Sequence, residues 1–212
     1  MADFEGIAQA VLDGDEDKVA ELVEQALKEG ASAEQVLSDG LIKGMNVVGD
    51  LFKRDELFVP EVLVSAKAMK QGTIMLEPLL RGGKRKTLGL VVLGTVSGDI
   101  HDIGKNLLKT MLEGAGFEVV DLGIDVATET FVQKAAEVKP NIIGMSALLT
   151  TTMTNMKPVI DALQAAGMRD QIKVMVGGAP VTQAFAAKIG ADGTATNVVA
   201  AVELARSLVG LS

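Results

Sequence analysis

The chain has a single histidine among 212 residues and no cysteine. His101 stands in the stretch Gly94-Thr95-Val96-Ser97-Gly98-Asp99-Ile100-His101-Asp102-Ile103-Gly104-Lys105-Asn106. Asp99 precedes it by two residues, and a second carboxylate, Asp102, follows it directly. A metal-bound imidazole commonly gives its other N–H to a carboxylate, which fixes the tautomer and raises the basicity of the ligating nitrogen. One histidine without cysteine cannot build a protein-only zinc or iron site. It can supply one axial ligand to a metal already held by a macrocycle. The plainer reading, an ordinary loop histidine, is weakened by the flanking glycines and the acidic neighbours. A Walker phosphate loop is disfavoured, because five residues rather than four separate Gly98 from Gly104, and Asn106 stands where Ser or Thr should bind magnesium.

Two further stretches carry polar or space-making residues. Ser146-Ala147-Leu148-Leu149-Thr150-Thr151-Thr152 clusters four hydroxyls. One of them could simply cap a helix, but Ser146 comes too early for that. Gly177-Gly178-Ala179-Pro180 leaves space free of side chains, or makes a tight turn before a helix begun by proline.

The surrounding pattern says how these stretches are held. Leu88–Leu93 is a continuous apolar run that ends at Gly94, as expected of a buried parallel strand. Strands are then expected at Glu118–Leu122, Asn141–Ser146, Lys173–Val176 and Asp192–Ala195. Helices are expected at Ile103–Ala115, Glu129–Val138, Asn155–Ala166, Val181–Ile189 and Val198–Leu208. Five β–α pairs imply a doubly wound parallel sheet, in which ligands sit beyond the carboxyl ends of the strands. All three stretches are loops at such ends. The first part of the chain has helical spacing only. Phe4–Leu12 and Val19–Leu27 form two helices. Ser32 and Gln35 make a capping box before a third helix that reaches Phe52, and Pro60 opens a fourth. Four helices with short connections suit a bundle. The basic, glycine-containing run Arg81-Gly82-Gly83-Lys84-Arg85-Lys86 reads as a linker, dividing the chain into domains 1–84 and 87–212.

Composition narrows the function. Net charge is −8 and Trp and Tyr are absent, a poor basis for gripping phosphates or stacking bases, so no nucleic-acid partner is expected. No apolar run approaches the roughly 18–20 residues of a membrane helix, so no membrane partner is expected either. The acidic start Met1-Ala2-Asp3-Phe4-Glu5 does not look like a signal peptide, and a cytoplasmic location is expected.

Taken together, Asp99-Ile100-His101-Asp102-Ile103-Gly104, Ser146-Ala147-Leu148 and Gly177-Gly178 resemble the cobalamin-binding signature D-x-H-x-x-G, S-x-L, G-G. Between them lie 41 residues (105–145) and 28 residues (149–176), spacings similar to those of that family. Met45–Phe52, Leu57–Pro60 and Ser65–Lys70 resemble the helical cap of cobalamin-dependent methionine synthase. The resemblance covers nearly the whole chain. It implies an α/β protein with an N-terminal four-helix bundle cap and a five-stranded parallel Rossmann-like (flavodoxin-like) cobalamin-binding domain. It implies that His101 ligates cobalt, that Asp99 hydrogen-bonds the imidazole, and that Ser146 hydrogen-bonds Asp99. Gly98, Ile100, Asp102 and Ile103 belong to the same signature loop. Gly104, Gly177 and Gly178 would clear a path for the displaced nucleotide tail, which Leu148, Thr150 and Thr152 would line. Phe58 would cover the methyl-bearing face. The implied cofactor is cobalamin or a related corrinoid, as methylcob(III)alamin and cob(I)alamin.

The resemblance further implies a methyl carrier of a corrinoid methyltransferase system, non-catalytic alone. Its implied partners are a substrate-specific methyltransferase, a second methyltransferase serving coenzyme M or tetrahydrofolate, and a reductive activator protein. Methylamines, methanol, betaines and aryl methyl ethers are the usual donors. A cobalamin-based regulator and the cobalamin subunit of a radical mutase are the alternatives. The first is disfavoured by the lack of a basic recognition helix, the second by the helical half.

Overall fold

The computed structural model describes residues 2–80 and 87–211. The linker expected at 81–86, and with it the boundary at 84, lies outside the described residues. The chain divides into two compact units, Met1–Lys86 with Gly114–Gly116, and Thr87–Glu113 with Phe117–Ser212.

The first unit is helical: α1 (Phe4–Asp13), α2 (Glu16–Lys28), α3 (Ala33–Gln35), α4 (Lys43–Lys53) and α5 (Val59–Leu80). Sequence-local signals start these helices. Asp3 and Asp15 cap α1 and α2 by accepting backbone N–H bonds, and Ser32 with Gln35 forms the capping box. The third helix expected from the sequence departs from regularity. A π-helical stretch, Val36–Ile42, joins α3 to α4. It runs against α1, where a side chain on Gly40 would come within 2.9 Å of Ile7. Ile7, Val11, Val19, Val23, Val36, Leu41, Val48 and Leu76 fill the interior.

The second unit is α/β. Strands β1 (Leu90–Thr95), β2 (Glu118–Asp121), β3 (Ile142–Ser146), β4 (Lys173–Gly177) and β5 (Gly193–Thr194) alternate with α6 (Ile103–Gly114), α7 (Thr128–Val138), α8 (Met156–Ala165), α9 (Gln183–Ile189) and α10 (Val198–Leu208). All pairings are parallel and the order is β2-β1-β3-β4-β5. The order reverses between β1 and β3, the place where such sheets bind ligands. β1 runs two residues past the expected end. Gly94 is not a stop but a packing position inside the strand, where a Cβ would lie 2.8 Å from the Phe131 ring.

Strand alternation separates the two faces of the sheet. Val92, Ile143, Met145, Val174 and Val176 join Phe131, Met156, Val159 and Leu163 in a continuous core with α7 and α8. Leu93, Gly144, Ser146, Met175 and Gly177 turn to the opposite face. There α6 and α10 leave a cavity of about 390 Å³ between them. No described helix is long and apolar enough to cross a membrane.

Candidate functional site

The loop after β1 begins with a tight turn. Asp99 N–H closes onto Val96 O at 3.1 Å, with Gly98 third in the turn at φ +80°. That conformation favours glycine. The turn brings Asp99 under the sheet's end, where it is 1% exposed. Its two carboxylate oxygens have separate tasks. Oδ1 accepts the His101 backbone N–H at 3.0 Å and lies 2.7 Å from His101 Nδ1. Oδ2 accepts the Thr152 hydroxyl at 2.6 Å and the Leu148 N–H at 2.8 Å. Burial pushes the Asp99 carboxyl pKa upward. Hydrogen bonds from Thr152, from the His101 and Leu148 backbone and from the His101 ring outweigh it and hold the group well below the usual carboxylate range.

An ionised carboxylate only accepts, so His101 Nδ1 carries the proton and Nε2 presents its lone pair. The ring is 47% exposed, and Nε2 has no hydrogen bond to a described residue. Thr95 Oγ1 donates to the His101 carbonyl at 3.0 Å and steadies the backbone beneath the ring. Ile100 and Ile103, either side of His101 in the chain, are 69% and 84% exposed. Leu148 and Leu149, whose N–H groups point at Asp99, are also exposed. A half-exposed nitrogen ligand with an uncovered apolar surround suits a flat, largely apolar macrocycle.

The cavity lies on the same sheet face as α6, which starts two residues beyond His101. Gly104, Lys105 and Leu108 of α6 form one wall, Val198 and Ala201 of α10 the other, and Ser146, Gly177 and Gly178 the rim. A Cβ on Gly104 or Gly177 would meet no atom within 4 Å, so both positions open onto free space. Gly178 is the opposite case. A Cβ there would lie 1.8 Å from the Ala147 carbonyl, and φ is +123°. Its lack of a side chain lets the loops after β3 and β4 close together, with Ala147 N–H bonded to Gly177 O. Among the described residues no group of three or more acidic or histidine side chains could hold a metal ion. One imidazole therefore suits a metal whose remaining positions are filled by its own ring. The residues present fit a corrinoid.

The structure corrects parts of the sequence reading. Ser146 makes no hydrogen bond to Asp99. It lines the cavity, and Thr152 takes the place at Asp99, because the turn Leu149–Thr152 swings that buried hydroxyl inward. The Thr152 hydroxyl and the Leu148 N–H bond Asp99, and Thr150 is exposed. Asp102 immediately precedes α6, where its side chain and carbonyl accept from Asn106. Phe58 belongs to the helical unit. Its N–H bonds Glu61 Oε2 at the start of α5, and its ring is exposed. Sequence reasoning missed Lys105. It is almost fully buried and donates to Asp121 Oδ1 at 2.7 Å, tying the first turn of α6 to the end of β2. Burial pushes the Asp121 carboxyl up, but Lys105 and the Gly123 N–H hold it below its ordinary value.

Comparison with known proteins gives the same class. A family model described as a B12 binding domain matches residues 89–203, and a second with that description matches 3–77. The chain belongs to the B12-binding family of corrinoid proteins, and its cofactor is cobalamin or a related corrinoid. It is 48% identical to a corrinoid protein of Desulfitobacterium hafniense across 99% of both chains. It is 49% identical to a dimethylamine corrinoid protein of Methanosarcina acetivorans, across 99% of this chain and all of that one. A methanol:cobalamin methyltransferase complex of Methanosarcina barkeri contains a chain 34% identical, with TM-score 0.89, covering 98% of this chain and 79% of that one.

Proposed function

We propose that the chain is a methyl carrier. It receives a methyl group from a substrate-specific methyltransferase and yields it to a second methyltransferase serving coenzyme M or tetrahydrofolate. When bound, the corrinoid would supply a cobalt centre able to carry the methyl group. His101 Nε2 would be the protein ligand to that cobalt. Asp99 holds Nδ1–H and sets a full negative charge against the ring, making Nε2 a stronger donor. Thr152 and the Leu148 N–H keep the carboxylate ionised and aimed.

Asp99 stands beside the ring as its fixed counter-charge. The Thr152–Asp99–His101 chain, at 2.6 and 2.7 Å, is the observation that carries this reading. The cavity beside α6 accommodates the nucleotide tail, with Gly104 and Gly177 leaving its space clear and Gly178 letting the loops after β3 and β4 close together. The helical unit carries exposed apolar side chains, Phe58 just before α5 and Leu63 within it. A reductive activator returns oxidised protein to use.

Relatives named for dimethylamine and trimethylamine, and the methanol:cobalamin methyltransferase complex, support methylamines and methanol as the donor classes to try first. The test is anaerobic methyl transfer to the corrinoid-loaded, reduced protein, from each donor with its methyltransferase, followed by absorption. Methylation with one donor pair is expected. Failure with every pair, on protein that has taken up corrinoid, would overturn the reading.

A further inference from the structure

The loop after β2 contains the outlier. Among the described residues three non-glycines have φ in the left-handed region: Asp55, Asp125 and Lys139. Asp55 follows the end of α4 and Lys139 caps α7, sites where that conformation is routine. Asp125, at φ +50°, ends no helix. A strained residue away from such a site is held there by its surroundings and invites a functional account.

Its contacts supply one. Asp125 Oδ1 accepts the Gly98 N–H at 2.7 Å, with the Ser97 hydroxyl at 3.4 Å. Its own N–H donates to the Asp99 carbonyl at 3.0 Å. One residue in the left-handed conformation thus grips both ends of the Gly98–Asp99 segment. From the other side Asn155 Nδ2 holds the Ser97 carbonyl at 2.7 Å. Residues 97–101 contain no regular secondary structure. Their shape, and with it the aim of the Asp99 carboxylate at the His101 ring, rests on these cross-loop bonds. The sheet does not need the Asp125 side chain. The β1–β2 ladder runs from Leu90 to Leu93, and the Val96–Val126 bridge is made by backbone.

We propose that Asp125 is a positioning residue for the axial imidazole: its carboxylate, bonded to Gly98 N–H, fixes the loop so that His101 meets cobalt at full strength. This rests on the reading of His101 as the cobalt ligand.

Two substitutions separate the side chain from the backbone. Asp125→Gly keeps φ +50° without strain and keeps the N–H to Asp99, but removes the acceptor. Asp125→Asn keeps an acceptor oxygen and tolerates the left-handed region. Each variant is loaded with aquocobalamin and reduced by one electron. The ratio of His-on to His-off cobalt is then read by electron paramagnetic resonance and visible absorption. Thermal unfolding of the apoproteins is followed alongside. Loss of a bond to a charged acceptor should lower the ratio about tenfold in Asp125→Gly. Asp125→Asn should stay near the native ratio, and both apoproteins should remain folded at the temperature of the measurement. An unchanged ratio in Asp125→Gly, or an equal fall in Asp125→Asn, overturns the inference while leaving His101 as ligand. A native protein with no His-on signal overturns the ligand reading and this inference with it.

Discussion

Thr152→Val is the sharpest probe of the carboxylate's support. Valine matches threonine in shape but cannot donate, so Asp99 Oδ2 would keep only the Leu148 N–H at 2.8 Å and the longer Leu149 contact at 3.4 Å. Both partners are nearly sealed from water, Asp99 at 1% and Thr152 at 7% exposure, so solvent cannot replace the lost donor. A hydrogen bond to a charged group contributes about 1.5–3 kcal/mol, and here the whole of it should be lost. For a chain of this size each kcal/mol moves the unfolding midpoint by about 2–4 °C, so the apoprotein midpoint should fall by about 3–12 °C. The chain has neither Trp nor Tyr, so the transition is best followed by circular dichroism rather than intrinsic fluorescence. Ser146→Ala is the control. Ser146 does not touch Asp99, and its removal should change stability by less than about 0.5 kcal/mol. Equal losses in the two variants, or none in Thr152→Val, would refute the assignment of Thr152 as the donor to Asp99.

Other outcomes follow from the same geometry. Gly178→Ala places a Cβ 1.8 Å from the Ala147 carbonyl in a left-handed backbone, and should cost about 2–6 kcal/mol of apoprotein stability. Gly177→Ala meets open space, so its apoprotein should unfold like the native chain while corrinoid uptake, measured by retained absorbance after gel filtration, falls. The Asp99 carboxyl is held below its unfolded value, so its contribution to stability is fully present above the unfolded pKa of about 3.9. That contribution should be lost as pH falls below this value towards the folded one. In Asp99→Asn, unfolding titrations should show a smaller loss between about pH 5 and pH 3.

Much of this arrangement was legible in the residues. Continuous apolar runs such as Val91–Leu93 and Ile142–Ile143 marked parallel strands, and the His101, Ser146 and Gly177 stretches fell at their carboxyl ends as expected. Capping residues Asp15 and Ser32 marked helix starts because their chemistry is local. What escaped was set by tertiary contact. Whether Ser146 or Thr152 reaches Asp99 depends on how the chain turns through Leu149–Thr152, and hydroxyl spacing alone does not encode that. Gly94 looked like a strand end, because nothing near it in sequence shows that the Phe131 ring needs its missing side chain. The π-helical stretch Val36–Ile42 carries ordinary helical spacing. Asp125 sits in a loop with no metal-ligand pattern, and its Gly-Ile-Asp sequence was the only available cue.

The central claim is that one imidazole nitrogen of this chain bonds cobalt, and the chain's lone histidine makes that measurable without ambiguity. Protein grown with histidine labelled with nitrogen-15, loaded with corrinoid and reduced by one electron, should give electron paramagnetic resonance lines split into doublets. Unlabelled protein should give triplets. Splitting that ignores the label, or no nitrogen splitting at all in protein that retains corrinoid, would contradict it.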